Sequence, residues 1–196
     1  MAIVKLTKDG YGQLELNQVA FRRDGRVEAQ CRLDSTEFPS DGSVKAENGM
    51  LFAIDNVKRT LKKATSTLAA TCVIGINYSS EHLYDPAKAS LKDFALTGGD
   101  NFLPRIGILD AGDKFTTNTI CYDNSTYTNL EAIQDDLDEG TAVYAGIASD
   151  GSGYWQLTAT APTAGPVGRV IGVTDMPDGQ EAIKIQILKA EGVATE

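Results

Sequence analysis

The stretch GRVIGVTDMPDGQEAIKIQILK, residues 168–189, decides the fold class because it carries two apolar runs around a turn. In the second run three isoleucines alternate with Lys184 and Gln186, a period of two that places the isoleucines on one face of a β-strand. Between the runs, Pro177 and Asp178-Gly179 are typical of a tight turn. We therefore predict a β-hairpin with one buried face.

Short apolar runs separated by turns fill most of the chain. Upstream, TAVYAGIA and YWQLTAT flank the turn SDGSG at residues 149–153, which predicts a second hairpin. Further strands are predicted at MLFAIDNV (50–57), TCVIGINY (71–78), RIGIL (105–109) and KFTTNTICY (114–122). Short strands at intervals of about ten residues, joined by Gly and Pro turns, are typical of a barrel or sandwich.

One clear helix is predicted, at NLEAIQDDLDEG, residues 129–140. Its apolar residues recur at helical spacing, Asn129 can cap its start, and Gly140 can close its end. Its last turn is acidic, the wrong sign for the negative end of the helix dipole, so we expect a short helix held by packing. The predicted fold class is mainly β: a small β-barrel or sandwich with one or two short helices and an N-terminal β-hairpin extension.

The N-terminal hairpin is predicted from QVAFRRDGRVEAQCRL, residues 18–33. Apolar and polar residues alternate on both sides of Asp24-Gly25, a pair that readily adopts the positive φ angles of a tight turn. Turn-rich sequence follows at 38–49. We therefore divide the chain into an N-terminal extension, residues 1–44, and a β-barrel-like domain, residues 45–196. Three places stay open for the extension: in the barrel, on a neighbouring subunit or on a partner.

Charge is unevenly distributed along the chain. The formal net charge is -9, made up of +2 over residues 1–63 and -11 over residues 64–196. A phosphate backbone would be repelled by most of this surface, so nucleic-acid binding is not expected. Arg22, Arg23 and Arg26 lie on both sides of the predicted hairpin tip and could bind an acidic protein surface. The alternative is a solvated hairpin end.

The residues that could carry chemistry are sparse. Cys31, Cys72 and Cys121 lie far apart and form no CxxC pair, so we predict buried or half-buried free thiols and no metal centre. His82 is the only histidine, and no GxSxG, Walker or GxGxxG pattern is present. We therefore predict a protein that is not an enzyme, without catalytic residues or a cofactor.

Two segments keep competing interpretations. Tyr154-Trp155 is either a stacking platform for a sugar or part of the barrel core. The stretch GGDNFLPRIGILDAGDKFTTNTICYD, residues 98–123, contains residue types that are common in active sites. Its glycines and its aspartates Asp110 and Asp113 nevertheless fit turns better. We predict that it forms a hairpin of the barrel, which leaves Arg105 without a role.

No targeting or membrane segment is predicted. The longest apolar runs fall far short of the roughly 20 residues that a membrane helix needs. The start of the chain, MAIVKLTKDGYG, reaches charged residues before an apolar region accumulates, unlike a secretory signal. We expect a protein made in a cytoplasm, with no membrane partner.

From about residue 45 to 188 the order of features resembles the head decoration, or capsid cement, proteins of tailed bacteriophages. The stretches that carry the resemblance are ENGMLFAID, SSEHLYDP, DFALTGG, LPRIGIL, AGDKFTTNT and TAVYAGIASDGSGYWQLT, followed by GRVIGVTDMPDGQEAIKIQIL. It is a pattern of strands and turns, does not reach the first 40 or so residues, and transfers no functional residue.

The resemblance implies a structural virion protein that binds the outer surface of an assembled capsid and stabilises it. Its partner would be the major capsid protein, its location the capsid exterior after synthesis in the bacterial cytoplasm, and its assembly a homotrimer. One rival is a carbohydrate- or receptor-binding β module on the virion surface. A second rival is an enzyme that uses His82 with a cysteine or carboxylate.

Overall fold

The computed structural model describes residues 3–6, 12–15, 18–21, 26–79, 98, 103–176 and 179–190. Within these ranges the protein is mainly β, as predicted, with two sheets and two short helices. The strands are β1 Ile3–Lys5, β2 Val27–Glu28, β3 Arg32–Leu33, β4 Leu51–Asp55, β5 Thr60–Lys63, β6 Val73–Asn77, β7 Ile106–Ile108, β8 Lys114–Thr117, β9 Ile120–Asp123, β10 Tyr144–Ile147, β11 Trp155–Thr158, β12 Val167–Asp175 and β13 Glu181–Lys189. The helices are α1 Ser66–Ala69 and α2 Leu130–Asp138.

The six-stranded sheet has the order β2-β7-β6-β4-β5-β3, so its two edge strands are consecutive in sequence. Only residues 29–31 separate β2 from β3, and such a link spans at most about 14 Å. In a flat sheet with six strands the two edges would lie about 24 Å apart. The sheet is therefore curled. Phe52 of β4 packs against the buried Phe38, with the ring centroids 5.6 Å apart.

The seven-stranded sheet has the order β1-β9-β11-β10-β12-β13-β8. Here too a short link, residues 118–119, joins β8 at one edge to β9 near the other, so this sheet is also curled. One of the two sheets forms a half-barrel. The larger core contains side chains from both sheets and is centred on fully buried residues such as Trp155 and Ile183.

The two C-terminal hairpins are confirmed. β10 pairs antiparallel with β11, and β12 pairs antiparallel with β13 over nearly their whole length. The three isoleucines of β13 are at most 1% exposed, as the period of two predicted. Residues 177–178 of the predicted β12–β13 turn lie outside the described residues.

Helix α2 is also confirmed, with the predicted ends. Asn129 Oδ1 accepts a hydrogen bond from the backbone N–H of Ala132 at 2.9 Å and so caps the first turn. Leu130 and Ile133 are buried, and Gly140 follows the helix with φ +79°. The last turn contains no basic residue to offset its acidic side chains.

The prediction that residues 98–123 form a barrel hairpin is wrong. β7 lies in the six-stranded sheet and β8 in the seven-stranded sheet, so the segment between them is a corner that passes the chain from one sheet to the other. The predicted turn itself is present: Asp113 Oδ2 accepts a hydrogen bond from the backbone N–H of Asp110 at 2.7 Å. Moreover, the strand predicted at 114–122 is divided into β8 and β9 at Asn118.

Residues from the N-terminal 44 enter both sheets. β1 pairs with β9, β2 pairs with β7 and β3 pairs with β5, so the predicted boundary at residue 44 coincides with no break in strand pairing. The two arms of the predicted N-terminal hairpin each have another partner, since Ala20 bridges to Lys114 and Val27 pairs with Gly107. The tip at Asp24-Gly25 lies outside the described residues.

Candidate functional site

Of the predicted basic interface, the structure describes Arg26, whereas Arg22 and Arg23 lie outside the described residues. Arg26 is half-buried, and its Nη1 lies 3.7 Å from Oδ2 of Asp110. Its carbonyl oxygen accepts a hydrogen bond from the backbone N–H of Ile108 at 2.9 Å. The C-terminal end of the predicted interface is therefore fixed to the corner between β7 and β8.

Arg105, which the sequence left without a role, covers an aromatic pair. Its guanidinium carbon lies 5.5 Å from the ring centroid of Tyr78, and the Tyr78 ring makes an edge contact with Phe21 at 5.2 Å between centroids. Gly107 makes room for Phe21, because a Cβ there would lie 2.5 Å from Cζ of that ring. Arg105 and Arg26 thus lie at opposite ends of β7.

The three cysteines are free, and the prediction of buried or half-buried thiols is confirmed. Burial, with a smaller contribution from Glu28, raises the pKa of Cys31 to about 11. Burial, reinforced by Asp150, raises the pKa of Cys121 to about 12. At neutral pH both thiols are held in the protonated, weakly nucleophilic form.

Tyr154 and Trp155 belong to the core, and the sugar-stacking platform is wrong. Trp155 is fully buried, with its ring 5.4 Å from that of Phe115. Tyr154 is 4% exposed, donates its hydroxyl to the carboxylate of Glu47, and lies under Lys5 Nζ at 4.1 Å from the ring centroid. A stacked sugar needs an open ring face, which neither side chain offers.

Residues 116–119, Thr-Thr-Asn-Thr, form a buried polar junction at the bend between β8 and β9. Asn118 accepts a hydrogen bond from the backbone N–H of Gln13 at 2.6 Å and donates one to Oε1 of Gln180 at 3.0 Å. Thr119 donates its hydroxyl to the carbonyl oxygen of Asn48 at 2.6 Å. The junction therefore joins the N-terminal segment, the loop before β4 and the turn end of the β12–β13 hairpin. Four polar residues inside an apolar strand pattern were the only sequence signal for it.

The described residues hold no candidate metal centre. They contain no group of three or more His, Cys, Asp and Glu side chains placed to hold a metal ion. His82, the centre of the enzyme hypothesis, lies outside them. None of the helices in the described ranges is long and apolar enough to cross a membrane.

Comparison of the chain with models of protein families, with curated proteins and with solved structures found no match.

Proposed function

We propose that this chain is a structural virion protein that binds the outer surface of an assembled phage capsid and stabilises it, with the major capsid protein as its partner. The observation that carries the proposal is the placement of the stretches that resemble capsid cement proteins. LPRIGIL and AGDKFTTNT lie along β7 and β8, and the long final run forms the hairpins β10–β11 and β12–β13. These stretches make up the framework of a curled, mainly β protein.

The basic segment 22–26 is proposed to contact the shell or a neighbouring subunit. Arg26 supports this because its ion pair with Asp110 fixes the end of the segment to the corner between β7 and β8. A rigid base lowers the entropic cost of binding for side chains next to it. The resemblance further favours a homotrimer on the capsid exterior.

Co-sedimentation with undecorated capsids tests the proposal. Deletion of residues 1–34 is not a clean variant, because it removes β1, β2 and β3 completely. The double variant Arg22→Glu/Arg23→Glu reverses two charges in the full-length chain, and Arg32→Glu/Lys58→Glu, at two exposed positions, is the charge-matched control. We expect the wild type and the control to pellet with capsids and the double variant to stay in solution. A wild type that never pellets with any capsid offered, at saturating concentration, counts against the proposal.

A further inference from the structure

A continuous row of side chains crosses the outer face of the seven-stranded sheet. Tyr144, Arg169, Gln186 and Lys114 are register partners across β10, β12, β13 and β8, and each is half-buried or exposed. The neighbouring residue on each strand belongs to the next row, and this row is buried. It consists of Ala145 of β10, Gly168 and Val170 of β12, Ile185 of β13 and Phe115 of β8. We call the exposed face around Arg169 and Gln186 the outer sheet face.

Two β-bulges in the pairing of β12 with β13 each carry an exposed aliphatic side chain. The register of β12 with β13 skips Ile171 on one strand and Leu188 on the other. Each of these residues is 45% exposed, and with Val57 they are the exposed large hydrophobics in the described part of the chain. Burial still alternates through both bulges: Val170 is buried and Ile171 exposed, and Ile187 is buried and Leu188 exposed. Each bulged position therefore carries an apolar residue that faces away from the core.

The outer sheet face is basic in an acidic part of the chain. Lys114, Arg169 and Lys184 are three of the seven Lys and Arg residues in 64–196, a region with a net charge of -11. Within the described ranges none of the three forms an ion pair. Tyrosine and arginine are also enriched in protein interfaces.

We propose that the outer sheet face docks onto the acidic helix α2 of a second copy of this chain. The charge argument singles out this occupant, because exposed carboxylates line α2 and its last turn lacks a basic residue. Those exposed acidic residues of α2 and its C-cap are Glu131, Asp135, Asp138 and Glu139. Cations from the partner would also offset the unfavourable sign of that helix end.

The size of the face sets the strength of the contact. Four strands spaced about 4.8 Å apart, the longest of them 9 residues, cover at most about 570 Å², which is less than the roughly 800 Å² per partner that stable complexes bury. The association is therefore weak and concentration-dependent. Because charge contributes strongly, it weakens as salt rises through the range in which the Debye length falls below about 10 Å.

Sedimentation velocity of the full chain, over a concentration series into the high-micromolar range at low and high salt, tests the inference. We expect wild type to associate at low salt and Arg169→Glu/Lys184→Glu to raise the dissociation constant about tenfold or more. The charge-matched control Arg32→Glu/Lys58→Glu, at exposed positions of the other sheet, should associate like wild type. Ile171→Ser/Leu188→Ser should weaken association without touching the core.

Reversing charges on both surfaces tests whether α2 is the element that binds the outer sheet face. Asp135→Lys/Asp138→Lys should weaken self-association as the basic-face variant does, and it should not unfold α2, since cations suit a helix C-terminus. Combining both pairs of reversals in one chain should restore association. A monomeric wild type at all concentrations, or an undiminished Arg169→Glu/Lys184→Glu variant, overturns the inference. Failure to regain association in the combined variant overturns α2 as the occupant.

These measurements need no capsid, so the inference does not rest on the proposed virion role. Self-association through the outer sheet face with no capsid binding would refute the proposed function alone. Capsid binding by a chain that stays monomeric at every concentration would refute the inference alone.

Discussion

The side-chain amide of Asn118 donates a hydrogen bond to Oε1 of Gln180 at 3.0 Å, although 62 residues separate them in sequence. Both are buried, and Asn118 is fully enclosed. The bond joins the bend between β8 and β9 to the end of the β12–β13 hairpin. Because β8 and β13 are also paired, the polar junction fixes where the curled seven-stranded sheet turns back on itself.

Asn118→Ala should lower the free energy of unfolding by about 2–3 kcal/mol, because it removes the hydrogen bonds that the enclosed Asn118 side chain makes with the backbone N–H of Gln13 and with Oε1 of Gln180. Urea denaturation followed by circular dichroism measures the change. Asn124→Ala, at an exposed turn position, is the control and should stay within about 0.5 kcal/mol of wild type.

Gly49→Ala should destabilise the protein far more than Gly151→Ala. Both glycines have positive φ, +89° and +72°, so both substitutions strain the backbone. At Gly49, however, a Cβ would lie 2.4 Å from Oγ1 of Thr117, whereas nothing lies within 4 Å at Gly151. Comparing the two urea midpoints isolates the cost of the clash with the polar junction. Equal midpoints would contradict the packing described around Gly49.

Thiol labelling should separate the cysteines in the folded protein. Cys72 is half-buried, whereas Cys31 and Cys121 are buried with raised pKa values. At about pH 8, an aromatic disulfide reagent should therefore label one thiol per chain quickly, and all three only in denaturant. Cys72→Ser should remove the fast phase. Two or more fast-reacting thiols in the native wild type would show that a cysteine taken as buried is accessible.

Stability should fall as the solution becomes alkaline. Burial raises the pKa of Cys121 from 9.0 to about 12, so the unfolded chain releases this proton at a lower pH than the folded chain does. The stabilising contribution is complete below pH 9.0 and is lost progressively as pH rises towards about 12. Urea unfolding at increasing pH should show this fall. Cys121→Ala should show a shallower dependence, and an unchanged slope would contradict the assignment.

Trp155→Ala should cost about 3–5 kcal/mol, because it removes a fully buried ring packed on Phe115. As Trp155 is the only tryptophan, its fluorescence reports directly on that core. Wild-type emission should lie at short wavelength and shift to longer wavelength on unfolding. Trp155→Phe, which keeps a ring in place, should be less destabilised than the alanine variant. Emission typical of a solvated indole in the native state would contradict the burial.

The outer sheet face shows which details of a surface escape sequence analysis. Val170 and Ile171 are both apolar, and a period of two cannot state which of them faces the core when a bulge interrupts the register. Ile187 and Leu188 are a simpler case, because the isoleucine alternation of β13 already predicts that Ile187 is buried. Arg105 is a similar case, because its partner Tyr78 is reached only through the pairing of β6 with β7.

Local pattern determined the elements of this protein. The isoleucine alternation of β13, the cap and apolar stripe of α2 and the Asp-Gly and Gly turns are short-range properties, so the mainly β class, the C-terminal hairpins and the helix could be predicted from sequence. The buried thiols followed from composition in the same way.

Tertiary structure alone decided how the elements were connected. Asp110 and Asp113 make the same turn whether the flanking strands pair with each other or enter different sheets, so the sequence could not distinguish a hairpin from a corner. The N-terminal segment was predicted to be an extension because β1 and β2 have partners about 80 to 120 residues away in sequence. Ile3 pairs with Asp123, and Val27 pairs with Gly107. The physical reason is that strand pairing and the burial of polar groups such as Asn118 depend on long-range contacts, which local periodicity does not encode.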